Sequence, residues 1–429
     1  MKLLMRAIAL SGTLNYASCF ALPPPEQIVI SEHVKAKLQE NDDLVRGCAG
    51  YEFPHVVCIN HYGSVIKGDF ERKVLDGYAD SYASTLTPGD SSFGFVSEAT
   101  FLVFDPVRGR QILGPSPLFD FMFSLPNFTH EGPVYVPDTN ELYFARVKPG
   151  FLPQLVVNLS ATPPTLSEKL ADPPIYAGTG GRYKNGEIIY ATISGDGSLG
   201  GNSFRPGLYA LDVKSGKSRT LLNNYYGYYF SSMDDMDIDA KGQIWCTNND
   251  YGRGDSVNTQ PPQMGAGTFR FDPQTGQPAL VENSLQQPNG IAFSPDYRTL
   301  YITDTGAGEV TISPFVPAPR IHWNATKARA IYAFDVDASG KHLLNKRPIY
   351  QAMEYAADGI KISRDGYLLA ATGHGIDVLT ADGTPVVRVQ TNFTVANLAW
   401  VGTGEGQLGE LWAVGRMGVA RVKWALKGR

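Results

Sequence analysis

A short phrase recurs along this chain and limits its fold more than any other feature. Its clearest copy is residues 286–305, QQPNGIAFSPDYRTLYITDT. Ile291 to Phe293 is a short apolar run, and residues 294–298 hold the Ser, Pro and Asp that start tight turns. From Thr299 the chain returns as a β-branched and aromatic run, which suits a strand. Asn289 and Gly290 stand just ahead of the first strand, so a polar side chain sits at a strand mouth. Copies of the phrase begin at Glu131, Asp234 and Asp358, and looser ones begin near Gly180 and Asn397. The steps between the six starts are 49, 54, 55, 69 and 39 residues.

Four-stranded propeller blades repeat every ~40–50 residues, and single blades accept loop insertions. The spacing therefore predicts an all-β, six-bladed β-propeller over residues 100–429. Outer hairpins are expected at residues 207–216, 267–276 and 330–340, where an apolar run ends in Asp and a Gly-containing turn follows. The Pro-rich segment 310–328 reads as a surface loop that lengthens its blade. Residues 22–99 lack the phrase and read as an extension packed on the propeller. Residues 100–105 form a strand before a Pro106–Gly109 turn, and are expected to close the ring against the last blade.

Composition narrows the class. The 45 glycines and 29 prolines among 429 residues suit many tight turns. The net charge of −5 and the lack of a Lys/Arg-rich run argue against a nucleic-acid partner. Residues 1–21 read as an export signal: Lys2 and Arg6 precede a mostly apolar stretch, and Ala21 stands before Leu22-Pro-Pro-Pro. That stretch is too short and too polar to span a bilayer. Asn127, Asn158, Asn324 and Asn392 each begin a glycosylation sequon, which fits a secreted protein. Cys48 and Cys58 are ten residues apart and are expected to pair in an oxidising compartment; Cys246, inside a strand, is expected to be a buried free thiol.

Glu131, Asp234, Asn289 and Asp358 each precede an inner strand. In a propeller such strand mouths gather at one end of the axis. Crowded carboxylates resist ionising unless a cation neutralises them. Hard divalent cations prefer oxygen ligands, so Ca²⁺ is the first expectation, with Zn²⁺, Mn²⁺ or Mg²⁺ as alternatives.

The motif QPNGIAFSPD at 287–296, with LYITD at 300–304, resembles the signature of the gluconolactonase family, which includes senescence-marker and luciferin-regenerating proteins. HEGPV at 130–134 and DGIKISRDG at 358–366 resemble its first and last metal-ligand motifs. The export signal, sequons and long extension are similar to those of secreted fungal lactonohydrolases. The resemblance implies a divalent metal in the channel and the opening of lactone rings. It implies that Glu131, Asn289 and Asp358 are metal ligands and that Asp358 is the general base. Asp234 falls near the remaining polar position, but Asp235 competes for it. Asp235 and His374 are further candidates for touching substrate. No Gly-x-Ser-x-Gly elbow is present, which argues against a serine nucleophile. Two other readings stay open: a non-catalytic binding scaffold, and an enzyme like strictosidine synthase on the same fold. The pocket walls are expected from loops 195–204 and 249–267.

Overall fold

The computed structural model describes residues 47–60, 71–72, 74–75, 79–88, 90–194, 204–311, 320–402 and 407–429. The expected export signal, 1–21, lies outside them. Six sheets of at least four strands stand around one axis. Their inner strands are Thr129–Val136, Gly178–Lys184, Met233–Ile238, Pro288–Phe293, Ala357–Ile362 and Thr394–Gly402, and these head blades 1 to 6 in that order. Each start lies within three residues of the repeat position read from the sequence. The six-bladed propeller is therefore the observed fold.

The core lies between blades rather than along the axis. Strand residues alternate in direction, so each blade offers an apolar face to both neighbours. Val134, Tyr143 and Val156 of blade 1 meet Ile188, Tyr190 and Tyr209 of blade 2. Trp245 of blade 3 packs on Ile291, Phe293 and Leu300 of blade 4. Leu142 and Phe144 of blade 1 meet Trp412 and Val414 of blade 6, which completes the circle.

Ring closure differs from the sequence expectation. Leu118–Ser124 closes the ring, as the outermost strand of blade 6 paired with Gly418–Lys423. Phe101–Val103 instead adds a fifth strand to blade 5 by pairing with Pro385–Gln390, and Val56–Cys58 adds a sixth. The expected Pro106–Gly109 turn is the start of a helix, Pro106–Leu113. Asp105 caps that helix by accepting from the backbone N–H groups of Val107 and Arg108, and Pro106 fills the position where no N–H is needed. The helix turns the chain from blade 5 toward blade 6, which is why the earlier strand cannot be the closing one.

The described part of the extension carries its own small core of Val57, Ile59, Tyr82, Phe93, Phe95 and Val96, packed against Leu102 and Phe104. The expected bond between Cys48 and Cys58 is present, and Cys246 is free and buried. Segment 310–328 is not a plain loop. Gly308–Thr311 pairs with Arg320–Trp323 as a hairpin inserted between the second and third strands of blade 4.

Every inner strand breaks register close to its mouth. The breaks fall between Glu131 and Val134, Gly178 and Gly180, Met233 and Met236, Pro288 and Ile291, Ala357 and Ile360, and Val395 and Asn397. A bulge frees residues from the ladder and re-aims their side chains. It also brings neighbouring inner strands together. A Cβ on Gly290 would lie 2.3 Å from the Asp358 carbonyl oxygen. We expect Gly290→Ala to cost about 1–3 kcal/mol in chemical denaturation, the usual overpacking penalty. Gly265→Ala, where a Cβ meets nothing within 4 Å, should stay within about 0.5 kcal/mol of the parent. Equal stability of the two variants would refute the packing argument.

Candidate functional site

The antiparallel ladder sorts connections to two ends of the propeller. In blades 1 to 5 the turns between first and second strands are short and lie at one end. Connections from second to third strands, and from each fourth strand to the next blade, lie at the other end with the bulged mouths. That end holds a cavity of about 370 Å³. Its floor is Glu131, Asp234, Asn289 and Asp358, from the mouths of blades 1, 3, 4 and 5. Val147 and Arg416 come from the ends of second strands, while Ile193 and Thr305 follow such strands. Tyr251 and Asp255 come from the connection after Asn248, and Tyr355 from the link into blade 5.

The floor is nearly closed to water. Glu131, Asp234 and Asn289 are each about 5–6% exposed, while Asp358 is partly exposed. Burial lifts the Glu131 carboxyl well above its ordinary range, and the charges of Asp358, Asp234 and Asp235 lift it further. Burial and the same two aspartates do likewise for Asp358, with the Asn289 amide opposing. Burial raises Asp234 to about 7 although Asn249 donates to it, and raises Asp255 to about 6 against the pull of Arg416. Among the described residues, no three His, Cys, Asp or Glu side chains are gathered closely enough to form a metal cage by themselves. The donor set is mixed, with three carboxylates and one amide oxygen, and its chemistry suits a hard divalent cation.

The structure brings four of the six expected polar residues to this cavity and places the other two elsewhere. Asp235 occupies the same bulge as Asp234 but lies outside the lining. It is buried, 3.6 Å from the Lys361 ammonium and within reach of the Asn397 amide. His374 is at the same end but one strand outward. Its Nδ1 meets the Glu354 carboxylate at 2.8 Å, and Glu354 also accepts from Arg388 at 2.6 Å. That pairing holds Glu354 low, near 2, despite burial. Sequence reading pointed to loop 249–267, which supplies Tyr251 and Asp255; of loop 195–204, only Phe204 lies within the described residues. It missed Thr179, Tyr355, Arg416 and Ile321. The strand-end rule identifies the first three once strand boundaries are known.

A larger cavity of about 910 Å³ opens at the opposite end, lined in part by Arg182, Lys361, Arg421 and Arg429. Its cations are matched by Asp237, Asp235 and Asp120, so its size brings no unbalanced chemistry.

A family model described as SMP-30/Gluconolactonase/LRE-like region matches residues 129–322 and 318–409. The chain belongs to this family. A lactonohydrolase of Aspergillus oryzae, oryL, is 57% identical over 90% of this chain and 88% of its own length. A second, oryH, is 39% identical over 90% of this chain and 94% of its own. A gluconolactonase of Zymomonas mobilis is 26% identical over 59% of this chain and 67% of its own. Among solved structures, a gluconolactonase from Xanthomonas campestris superposes with TM-score 0.60 at 18% identity, over 75% of this chain and 93% of its own. A calcium-binding protein, regucalcin, from Agrobacterium tumefaciens gives 0.51 at 13%, over 72% and 94%. These last two likenesses speak for the fold alone.

Two measurements follow from the charges. A carboxyl raised on folding stabilises the native state below its unfolded value, and that contribution is lost as pH rises through its folded value. Asp234 and Asp255 therefore predict that Tm in the presence of chelator falls between pH 5 and 7.5, and that Asp234→Asn flattens the fall. A Tm that rises over that window contradicts the assignment. Separately, Lys361→Met strands the Asp235 carboxylate and should cost about 3–5 kcal/mol. Adding Asp235→Asn should recover much of that loss in a double-mutant cycle; a double variant no more stable than Lys361→Met argues against the pair.

Proposed function

We propose that this protein opens a lactone at the bulged mouth of the channel, with Asp358 as general base. The observation that carries the reading is the convergence of four oxygen-bearing side chains, from four blades, on the floor of one cavity. Membership of a family with lactonohydrolase and gluconolactonase relatives supports lactone hydrolysis as the reaction class.

Glu131, Asn289 and Asp358 would hold a divalent cation, Ca²⁺ first, with Asp234 beside them. When bound, such an ion polarises the ester carbonyl and makes several ionised acids tolerable together. The remaining work falls to side chains. Asp358 is partly exposed at the cavity floor, so its carboxylate can reach a water held against the lactone carbonyl carbon. It takes that water's proton as the C–O bond forms. Collapse breaks the ring C–O bond, and the same carboxyl returns the proton to the leaving alkoxide, yielding a hydroxy acid. Asn289 is neutral at all relevant pH, so it orients Asp358 without adding charge to a crowded site. Asn249 donates to Asp234 and also to the Pro288 carbonyl at 3.1 Å.

Secretion and glycosylation belong to the same proposal. Asn127, Asn158 and Asn392 are exposed, and the Cys48–Cys58 bond suits an oxidising compartment.

The test compares two conservative variants in a lactone panel followed by acid release, with and without chelator. Asp358→Asn keeps an oxygen donor and removes the base, so turnover should fall about 100-fold or more while Ca²⁺ still raises Tm. Glu131→Gln should weaken the Ca²⁺-induced rise in Tm, and excess Ca²⁺ should partly restore activity. Parental turnover in Asp358→Asn removes it as the base. Parental Ca²⁺ response in Glu131→Gln removes that residue from the cation site.

A further inference from the structure

We infer that the lactone this cavity takes carries an apolar substituent of several carbons, seated against the hairpin inserted in blade 4. The inference rests on the lactonase reading above and names the substrate class. The cavity is divided by chemistry. Its floor is acidic, whereas the side formed by blades 3 to 5 is lined by Tyr251, Ile321 and Tyr355, with Val147 and Ile193 adding apolar surface from blades 1 and 2. Trp323 stacks on Tyr355 with ring centroids 4.8 Å apart and an interplanar angle of 21°.

The wall's polar atoms do not change this character. The Tyr251 hydroxyl donates to the Thr305 carbonyl at 2.7 Å, that of Thr305 to the Gln287 carbonyl at 3.1 Å, and that of Thr179 to the Met233 carbonyl at 3.3 Å. A polyhydroxylated lactone seated against the hairpin side would leave hydroxyls facing apolar surface, since the donors there are already committed; Arg416 and Asp255 are the polar exceptions in the lining above the floor. Burying an unpaired hydroxyl is costly, whereas burying methylenes is favourable. At about 370 Å³ the cavity is at the lower end of the ~300–1,000 Å³ usual for small-molecule sites, enough for one ring and a short chain.

The hairpin is built to present this wall. Ile321 packs on the Tyr251–Gly254 turn, where a Cβ on Gly254 would lie 2.6 Å from the Ile321 side chain. Glycine at that position lets the hairpin approach the floor closely enough for Ile321 to line the cavity. Trp323, two residues on, shares that hairpin face and reaches Tyr355.

The experiment measures kcat/KM of the full chain with Ca²⁺ for glucono-δ-lactone and for δ-valerolactones bearing hydrogen, methyl, propyl or pentyl at the ring carbon next to oxygen. The expected result is a rise of about fourfold per added methylene until the wall is covered, with glucono-δ-lactone poorest. Ile321→Ser should lower the ratio of kcat/KM for the pentyl compound to that for unsubstituted δ-valerolactone about tenfold; Tm confirms that the variant is folded, and an unchanged ratio overturns the inference. A flat alkyl series, or a preference for glucono-δ-lactone, overturns this inference and leaves the lactonase reading standing. If the parent opens none of these lactones, the lactonase reading fails and this inference falls with it.

Discussion

Six inner strands must meet around one axis, and the width of that meeting decides what the centre can hold. Regular strands would turn alternate side chains into the channel along its whole length. Here each inner strand carries a bulge near its mouth, so the ladder is interrupted where the chemistry gathers. The freed residues at blades 1, 4 and 5 pair a polar side chain with a glycine: Glu131-Gly132, Asn289-Gly290 and Asp358-Gly359. The polar side chain lines the cavity floor. The glycine gives the neighbouring blade room, as at Gly359, where a Cβ would lie 2.4 Å from the Asn397 side chain. Position and spacing of the site are thus consequences of how blades pack, and the acids are buried because the ring is closed.

Burial alone would drive these carboxyls to their neutral forms. The second residue of the blade 3 bulge is handled differently from the first. Asp234 faces the cavity, while Asp235 meets Lys361 and Asn397. Lys361 is three residues beyond Asp358 on the same strand, and burial lowers its ammonium while the charge of Asp235 supports it. Further along, Asp237 is held low, against the pull of burial, by Arg182 and Arg429. The channel therefore alternates acid with compensated pairs. Among the described residues, the mouth layer holds Glu131, Asp234 and Asp358 in no ion pair, and it is this layer that lines the cavity with its connecting loops.

The parts of this arrangement legible in the sequence are those encoded locally. Blade number follows from recurring strand–turn–strand phrases, and four of the floor residues follow from their fixed place in the phrase. The disulfide is legible because its loop is short. What was not legible depends on contacts distant in sequence. Leu118–Ser124 carries no feature that marks it as the partner of Gly418–Lys423, some 300 residues on. Asp234 and Asp235 are adjacent in the chain, and only the bulge decides which faces the cavity. His374 looks like a free imidazole until Glu354, 20 residues earlier, is placed against it.

The departures from the repeat are more informative about specificity than the repeat itself. An ideal blade would supply the mouth acids and little else, since its connections are short. The longest step in the sequence, from Asn289 to Asp358, arises because blade 4 holds the paired strands Gly308–Thr311 and Arg320–Trp323 between its second and third strands. The next departure is the connection from Asn248 to Gly267, which carries Tyr251 and Asp255. Both insertions lie at the mouth end because an antiparallel four-stranded blade returns there after its second strand. An insertion after the first or third strand would lengthen the opposite end and leave the acids untouched. Selection for a particular substrate can therefore act on these two connections without disturbing bulges, glycines or inter-blade cores. The acidic floor is fixed by packing, and the wall above it is free to change.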